Sequence, residues 1–521
     1  MKIVLVSTKI EAHAMNFAYC MDLVGCNFSH IPLPLATIAA LTPDDVEVTI
    51  IDENVEAIPD VLDADIIGFT AILCQKERTF ELAKRFRAEG KLVAVGGALV
   101  DDQPEECRDA MDVVFKGEAE YTWPRFIEEY RESRHADYYH QQEWVDVKDS
   151  PIPRFDLIKT ERYSAGCIQI TRGCPYRCEY CDVPTKNGGF PRSKAIENAL
   201  QEIRLLSEIG YDSIFVVDDH FAGNRKFAKD LLRAIAELLP SLPTKMYFYT
   251  QVSLNVAKDE ELLQLFHDAS FRRLFIGIET SDSEQLLNIN KKHNIEQDIL
   301  TSIRRIQSYG ITVWAGILFG LDGDSEEKYN NQYDFIMKSG ITPVQIGLLQ
   351  AMPETPLYDR VIEEGRLVEL PQIMGSSGLG DNKKVPASNI TPTSITEYER
   401  DRLFAKTLRR LYSADAFAQR ILDAEARIEH RAIKVWPDLT VSNLAIVART
   451  VGYYLFKADS TVRKMFFRMI VAFLTGKAKN LEELLFNLII YKHLRTFYFN
   501  LADSILSNQE DHRNEDIPDK S

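Results

Sequence analysis

The chain of 521 residues sets 61 Lys and Arg against 78 Asp and Glu, a net charge of −17, which excludes a general nucleic-acid binder, because phosphate contacts need a basic face. Its length is too great for one core and asks for roughly three domains, and its apolar and charged fractions of 45% and 27% are those of a globular protein. Eight cysteines in so long a chain do not make a disulfide framework: three lie between 174 and 181, and Cys20, Cys26, Cys74, Cys107 and Cys167 are scattered, as in a reducing compartment.

Residues 1–6 are a short apolar run without a basic leader or a small-residue cleavage site, and read as a first strand, not a signal peptide. No apolar run reaches the ~18–20 residues of a bilayer span, so the expectation is a soluble, cytoplasmic protein, at most peripheral to the inner face of a membrane. Strand-like runs at 3–6, 46–51, 66–70, 92–95 and 113–115 alternate with helical patterns such as 76–88 and 124–131, which predicts parallel βαβ units in a doubly wound, Rossmann-like sheet over residues 1–145. Ligands on such sheets sit outside the carboxyl ends of the strands, here Thr70, Gly96-Gly97 and Gly117-Glu118. The GxGxxG fingerprint is missing, which disfavours a dinucleotide. A long segment after the first strand holds His13, Met15, Phe17, Tyr19, Cys20, Cys26, Phe28 and His30, and its aromatics argue for contact rather than solvation.

Pro32-Leu-Pro34, Ile51-Asp52-Glu53, Gly68-Phe-Thr70, Gly96-Gly97, Pro104-Glu-Glu106 and Gly117-Glu-Ala-Glu120 together resemble the cobalamin-binding domain that precedes one class of radical SAM enzymes. The resemblance implies cobalamin contacts at Thr70, Gly96, Gly97 and Glu118. The DxHxxG string that supplies a histidine to cobalt is missing from this domain; the literal match at Asp218-Asp-His220-Phe-Ala-Gly223 falls far downstream. Cobalamin without a protein histidine ligand is therefore expected, with His13 and His30 as the candidates that would overturn it.

Asp149-Ser-Pro151-Ile-Pro153 reads as an extended linker. Over 146–365, strand runs at 167–171, 214–218, 246–250, 274–279, 313–320 and 344–349 alternate with helices at 195–209, 226–239, 260–269, 295–309 and 326–338. Six βα units of this kind predict a partial TIM-like (β/α)6 barrel, with its chemistry at the carboxyl ends of the strands. The first strand runs into Thr171-Arg-Gly173 and Cys174-Pro-Tyr-Arg-Cys178-Glu-Tyr180-Cys181. Three cysteines are one too few for a closed zinc site and the right number for a 4Fe–4S cluster with one open iron; on spacing alone a structural metal clip or redox pair stays open. The other strand ends carry Asp218-Asp219, Thr250-Gln251, Glu279, Gly320 and Gln350, while Asp322 and Asp324 read as turn residues. Cys167 reads as a core thiol.

The CxxxCxxC spacing and the aromatic Tyr180 before its last cysteine resemble the radical SAM superfamily. The resemblance implies Cys174, Cys178 and Cys181 as cluster ligands, the fourth iron chelated by S-adenosylmethionine, Tyr180 near the adenine, Asp218 or Asp219 where many members have a Gly-Gly-Glu contact to the methionine amine, and Glu279 and Gly320 beside the same ligand.

Residues 373–392 are rich in Gly, Ser, Asn and Pro and read as a loop. Helical patterns follow at 397–412, 414–427, 442–456, 462–475 and 481–506, so 366–507 is expected to be an α-helical C-terminal domain, with an acidic, disordered tail over 508–521. Residues 449–500 hold nine Lys or Arg and three Asp or Glu. These read either as a solvated basic face or as amphipathic helices that meet an anionic bilayer or an amphiphilic substrate. The arrangement resembles the cobalamin-dependent radical SAM subgroup that includes the hopanoid C-2 methylases, on Val217-Asp-Asp219-His-Phe-Ala-Gly-Asn-Arg-Lys226, Gly316-Ile-Leu-Phe-Gly-Leu-Asp322 and the run from Leu348 to Leu357, with Asn382 and Asn389 at the entry to the extension. It implies methyl transfer to an unactivated carbon of an organic or lipid-like substrate, fed by a reductant such as flavodoxin or ferredoxin. Radical cyclisation or rearrangement without methyl transfer is the alternative, and a non-catalytic iron–sulfur or zinc module the remote one.

Overall fold

Short β-branched runs separated by amphipathic helices build parallel sheets covered by helices, because a strand buried on both faces must be apolar throughout and its return connection is a helix. A computed structural model describes residues 1–368, 388–427 and 440–515; Asn382, most of the loop expected at 373–392 and the end of the acidic tail lie outside the described residues. The chain divides into two compact units, one of residues 1–11, 26–176 and 182–247, the other of Ala12–Gly25, Arg177–Cys181 and Phe248 onward.

The first unit contains β1 (Lys2–Ser7), β2 (Phe28–His30), β3 (Glu47–Asp52), β4 (Ile66–Thr70), β5 (Leu92–Gly96), β6 (Val113–Lys116), β7 (Tyr138–His140), β8 (Tyr163–Ile168), β9 (Thr171–Arg172), β10 (Arg192–Ser193) and β11 (Ser213–Val216). Six of them form a sheet in the order β3-β1-β4-β5-β6-β7, parallel throughout. Val4, Val6, Ile67, Phe69, Val93 and Val95 fill the sheet side of its core, and Leu82, Ala83 and Phe86 of helix Lys76–Ala88 pack against it. The edge strand β7 has no apolar run to announce it. It is recruited by pairing with β6 and by Tyr139, which stacks on Phe115 at 5.2 Å. In the same unit β8 pairs in parallel with both β2 and β11, and the Tyr163 hydroxyl donates to Asp52 at 2.8 Å, tying β8 to the end of β3.

The second unit contains β12 (Tyr247–Val252), β13 (Phe271–Glu279), β14 (Thr312–Phe319) and β15 (Val344–Leu348), with β12 to β15 paired in parallel in chain order. All six strands expected of the partial barrel, β8 and β11 to β15, thus form, the first of them at Tyr163–Ile168 where 167–171 was expected. Asn389 exchanges two hydrogen bonds of 2.8 Å with the backbone of Ala351, pinning the chain where it leaves the last strand. Five helices follow: Glu397–Leu411, Ala414–Glu425, Val441–Gly452, Ser460–Leu474 and Leu481–Glu515. The first four begin where Thr396, Ser413, Thr440 and Asp459 accept from backbone N–H groups of their own first turns, the ordinary N-cap chemistry of these side chains. The last helix continues to Glu515, so its backbone takes in the start of the segment expected to be disordered.

That last helix is moored to the strands of its own unit. The buried Arg273 of β13 donates to Glu483 at 3.0 Å and lies 3.6 Å over the Phe486 ring, and the Tyr498 hydroxyl accepts from Ile346 N–H of β15 at 2.8 Å. The aromatic segment after β1, expected to contact something, packs here. Phe17 meets Trp314 and His493 edge-on at 6.0 and 5.7 Å, and Arg449 donates to the carbonyls of Leu23 and Val24 at 2.8 and 2.6 Å. The buried His493 is used on both sides: Nδ1 accepts from Tyr19 N–H at 3.2 Å and Nε2 pairs with the His13 carbonyl at 3.0 Å. Those partners demand the neutral Nε2–H tautomer, and burial lowers the His493 pKa to about 4.

The histidine titrates near 6.5 when unfolded, so the unfolded chain binds the extra proton first and the stability contributed by this contact is lost as pH falls from about 6.5 towards 4. Lowering the pH from 7 to 5 is expected to speed amide exchange across residues 12–25 selectively, by an opening free energy reduced on the order of 1–2 kcal/mol. His493→Gln, which keeps a neutral donor and acceptor, should remove the share of that pH dependence due to His493 and leave the share of His13, whose pKa burial also lowers to about 4.

Candidate functional site

The site grows out of an irregularity in β13. The register between β13 and β14 slips between Gly277 and Glu279, a bulge that re-aims the residue after it, and Glu279 adopts φ +65°. A left-handed conformation is uncommon for a glutamate; here its surroundings hold it. Its Oε1 accepts from Lys291 Nζ at 2.6 Å and from the Tyr180 hydroxyl at 2.8 Å, and Lys291 also donates to Tyr180 at 3.0 Å. Asn294 donates to the carbonyls of Gly277 and Ile278 that the bulge frees, at 3.1 and 3.3 Å. Gly277 has to be glycine, since a Cβ there would stand 2.5 Å from Glu279 Oε1 and 2.7 Å from Lys291 Nζ.

Burial works against the charge on Lys291, but Glu279 and Cys178 outweigh it and raise the ammonium pKa. Burial and the Glu279 carboxylate push the Tyr180 hydroxyl well above its ordinary value, so it stays a donor. The Cys178 thiol is pushed up by burial and pulled back by the Lys291 ammonium. Lys291 therefore places a positive charge beside a sulfur that must ionise to bind metal.

Between those two residues of the motif, Glu179 is fixed at every polar group. Its N–H donates to Ile289 O and its carbonyl accepts from Leu357 N–H, each at 3.0 Å. Its carboxylate takes Arg360 in a fork at 2.6 and 3.1 Å. Arg360 and Arg366 share Asp322 at 2.9 and 2.6 Å, so Asp322, expected to be a turn residue, is the hub of an ion-pair chain. Asp324 is the turn residue: it accepts from Gly320 N–H at 2.8 Å and from Gln285 at 2.6 Å, and burial lifts its pKa to about 6. Gly320 itself sits at φ +76°.

In the first unit, the entry to the cysteine loop is held by the two aspartates after β11. Asp218 is fully buried and spends both oxygens, on Ile170 N–H at 2.7 Å and Thr171 Oγ1 at 2.8 Å, while burial raises its pKa to about 7. Asp219 accepts from Gly173 N–H at 2.8 Å and from Asn187 at 3.0 Å, and part of its surface stays open. Both carboxylates shape the loop, and of the two Asp219 keeps part of its surface exposed. Gly173, at φ +94°, has no room for a Cβ, which would lie 2.5 Å from Phe190 O. Cys174 N–H donates to Gly188 O at 3.1 Å.

The residues expected at the edge of the six-stranded sheet divide by role. Thr70 and Gly96 end the adjacent strands β4 and β5, opposite one another. Gly97, at φ +94°, is required by the fold, since a Cβ would come within 2.8 Å of Ala71 O. Glu118 is consumed by Arg172 and Arg192 at 2.9 and 2.8 Å and by Val145 N–H at 2.9 Å; burial opposes its charge, but the two guanidiniums prevail and lower its pKa. His13 packs within the second unit, and His30 ends β2 with its ring 5.4 Å from Phe215. The histidine that reaches this sheet edge is His140, overlooked because β7 has no sequence signal. It stands two strands from β5, about 10 Å at sheet spacing.

Among the described residues no three His, Cys, Asp or Glu side chains converge on one metal ion. A cubane asks something different, because each of its cysteines binds its own iron, and three thiols on one short loop with a cation beside Cys178 suit that donor set. Cys167 is buried on β8 as a core thiol. Lys291 went unread from sequence: no motif marks it, and only the fold of the chain after Asn290 brings it back to Glu279.

Residues 168–336 match the radical SAM superfamily, and residues 355–506 match a domain of unknown function, DUF4070. An uncharacterized methyltransferase of Synechocystis sp. is 33% identical over 358 residues, covering 68% of this chain and 67% of the relative. The hopanoid C-2 methylase of Rhodopseudomonas palustris is 36% identical over 343 residues, covering 65% of each; the chain thus spans about two thirds of the length of these relatives. Among solved structures, the cobalamin-dependent S-adenosylmethionine radical enzyme OxsB, with aqua-cobalamin and S-adenosylmethionine bound, superposes with a TM-score of 0.63 at 16% identity over 100% of this chain and 82% of OxsB. That likeness establishes a shared fold.

Removing one partner of a buried ion pair strands the other. Lys291→Met is expected to lower unfolding free energy by about 3 kcal/mol, read from the denaturant midpoint, and adding Glu279→Gln should recover more than half of the loss. Equal midpoints for the single and double variants would disprove the coupling.

Proposed function

Since the chain belongs to the radical S-adenosylmethionine methyltransferases, we propose that it methylates an unactivated carbon of an organic, lipid-like substrate, using a 4Fe–4S cluster, S-adenosylmethionine and cobalamin. The observation that carries this reading is the convergence of Tyr180, from within the cysteine motif, with Glu279 and Lys291 at the end of β13. When bound, the cluster with S-adenosylmethionine supplies an organic radical and the corrinoid a transferable methyl group, chemistry that belongs to the cofactors.

The protein's part is to hold and to exclude. Cys174, Cys178 and Cys181 are the cluster ligands, and Lys291 balances the negative charge that three thiolates bring. Tyr180 and Glu279 present a hydroxyl and a carboxylate to the ligand of the open iron. Asp219, with its remaining open surface, takes the methionine amine, while Asp218 keeps the loop in shape. Gly320 and its partner Asp324 set the turn after β14. In the first unit the ends of β4 and β5, at Thr70, Gly96 and Gly97, would hold the corrinoid, without a protein histidine as ligand to cobalt, and Glu118 fixes the neighbouring loop. A flavodoxin- or ferredoxin-type protein supplies electrons in the cytoplasm, and a lipid-like acceptor would be met at the inner face of the membrane.

The test is anaerobic reconstitution with methyl-labelled S-adenosylmethionine and a lipid and pigment extract from cells lacking the gene. Label should enter an extract component, with S-adenosylhomocysteine and 5′-deoxyadenosine formed together. Deoxyadenosine alone would replace this reading with a radical rearrangement, and a colourless, zinc-loaded protein would remove the radical chemistry. Cys178→Ala should abolish the brown colour and both products. Asp219→Ala should weaken S-adenosylmethionine binding about tenfold, the value of one charge-assisted hydrogen bond, with the cluster absorbance unchanged.

A further inference from the structure

Large apolar side chains exposed to solvent are not spread evenly over this chain. Six of the fifteen among the described residues fall between Val441 and Leu474, a stretch of three helical elements in the second unit. The helix Ser460–Leu474 shows why. Val462, Met465, Phe466, Met469, Ala472 and Phe473 form its buried face, yet Phe467, Val471 and Leu474, at 49%, 55% and 66% exposure, repeat on the opposite side at the i, i+4, i+7 spacing of one helical face. Phe456, at 82%, stands in the turn that leads into this helix. The helix is therefore apolar on two faces, and its own fold consumes one of them.

The charges beside the outer face are mostly basic; the acid at its start, Asp459, caps the helix and pairs with Arg495 at 3.0 Å. Lys457, Lys464, Arg468 and Lys477 flank these side chains, and among the described residues none of the four takes part in an ion pair; Arg468 donates to the neutral amide of Gln419. Residues 449–500 carry nine basic and three acidic side chains in a chain of net charge −17, so the basic surface is local.

We propose that the outer face of Ser460–Leu474, with Phe456, is a docking surface for an anionic lipid bilayer. An exposed apolar stripe rimmed by Lys and Arg suits the headgroup–acyl boundary, where the rings and branched side chains enter the hydrocarbon and the basic residues meet lipid phosphates. A second copy of this chain fits poorly, because a two-fold contact through this face would bring two sets of the basic residues Lys464, Arg468 and Lys477 into one interface. No helix among the described residues is long and apolar enough to cross a membrane, so the contact is interfacial. This inference goes beyond the reaction and stands whether or not methyl is transferred.

Flotation of the reconstituted full-length protein with vesicles of phosphatidylglycerol and phosphatidylcholine in equal parts is the test. The protein should float with these vesicles, lose most of that binding in high salt, and stay behind with phosphatidylcholine alone. Phe467→Ser/Val471→Ser/Leu474→Ser and Lys464→Glu/Arg468→Glu should each weaken partitioning roughly tenfold or more, with thermal midpoint and cluster absorbance unchanged. Wild-type protein that does not float, or variants that float as well as it does, would overturn the proposal. A wild-type dimer that the serine variant converts to monomer, by light scattering, would assign the face to self-association instead.

Discussion

A buried carboxylate needs hydrogen-bonding and oppositely charged partners, and Glu279 is where this chain meets that demand. Its backbone is bent into the left-handed region by a bulge, its side chain lies against a glycine that leaves no room for a Cβ, and its oxygen is held by Lys291 and Tyr180. Each component makes sense only with the others. The bulge directs the carboxylate inward, Lys291 pairs with it, and Tyr180 ties the segment that carries Cys178 and Cys181 to the end of β13. A buried pair of this kind contributes little net stability over an apolar substitute. What it contributes is position, and a positive charge beside sulfur.

The loop around the motif follows the same logic at its periphery. Glu179, Arg360, Asp322 and Arg366 form a chain of close ion pairs across elements distant in sequence. Asp218, Asp219 and Gly173 do the corresponding work in the first unit. Cofactor chemistry of this class tolerates little displacement of the reacting groups, and a glycine-bearing cysteine loop has few apolar contacts of its own, so polar bonds to its backbone are what hold its shape.

The helical C-terminal portion serves as scaffold and as surface. Its inner side carries Tyr498, the Glu483 that meets Arg273 of β13, and the contacts with the docked Ala12–Gly25 segment; its outer side carries the exposed stripe on Ser460–Leu474. Aromatics in that N-terminal segment were legible as contact-making, but not their partner, because the signal for docking is composition and the signal for the target is shape.

Much of the design was readable from the chain itself. Parallel βα units follow from the alternation of β-branched runs with amphipathic helices, and a short loop of three thiols from the spacing of Cys174, Cys178 and Cys181. The polar residues at strand ends, Asp219 and Glu279 among them, mark the face on which the proposed chemistry would take place. These are local or periodic features, and local physical chemistry specifies them. Tertiary structure alone decided the rest. It tied Asp218 to Thr171 and Glu118 to Arg172 and Arg192, brought Lys291 to Glu279, and added β2 and β7 to the sheets. The reason is the same in each case: a side chain's role depends on which buried polar groups need a partner, and that need exists only once distant segments have been packed together.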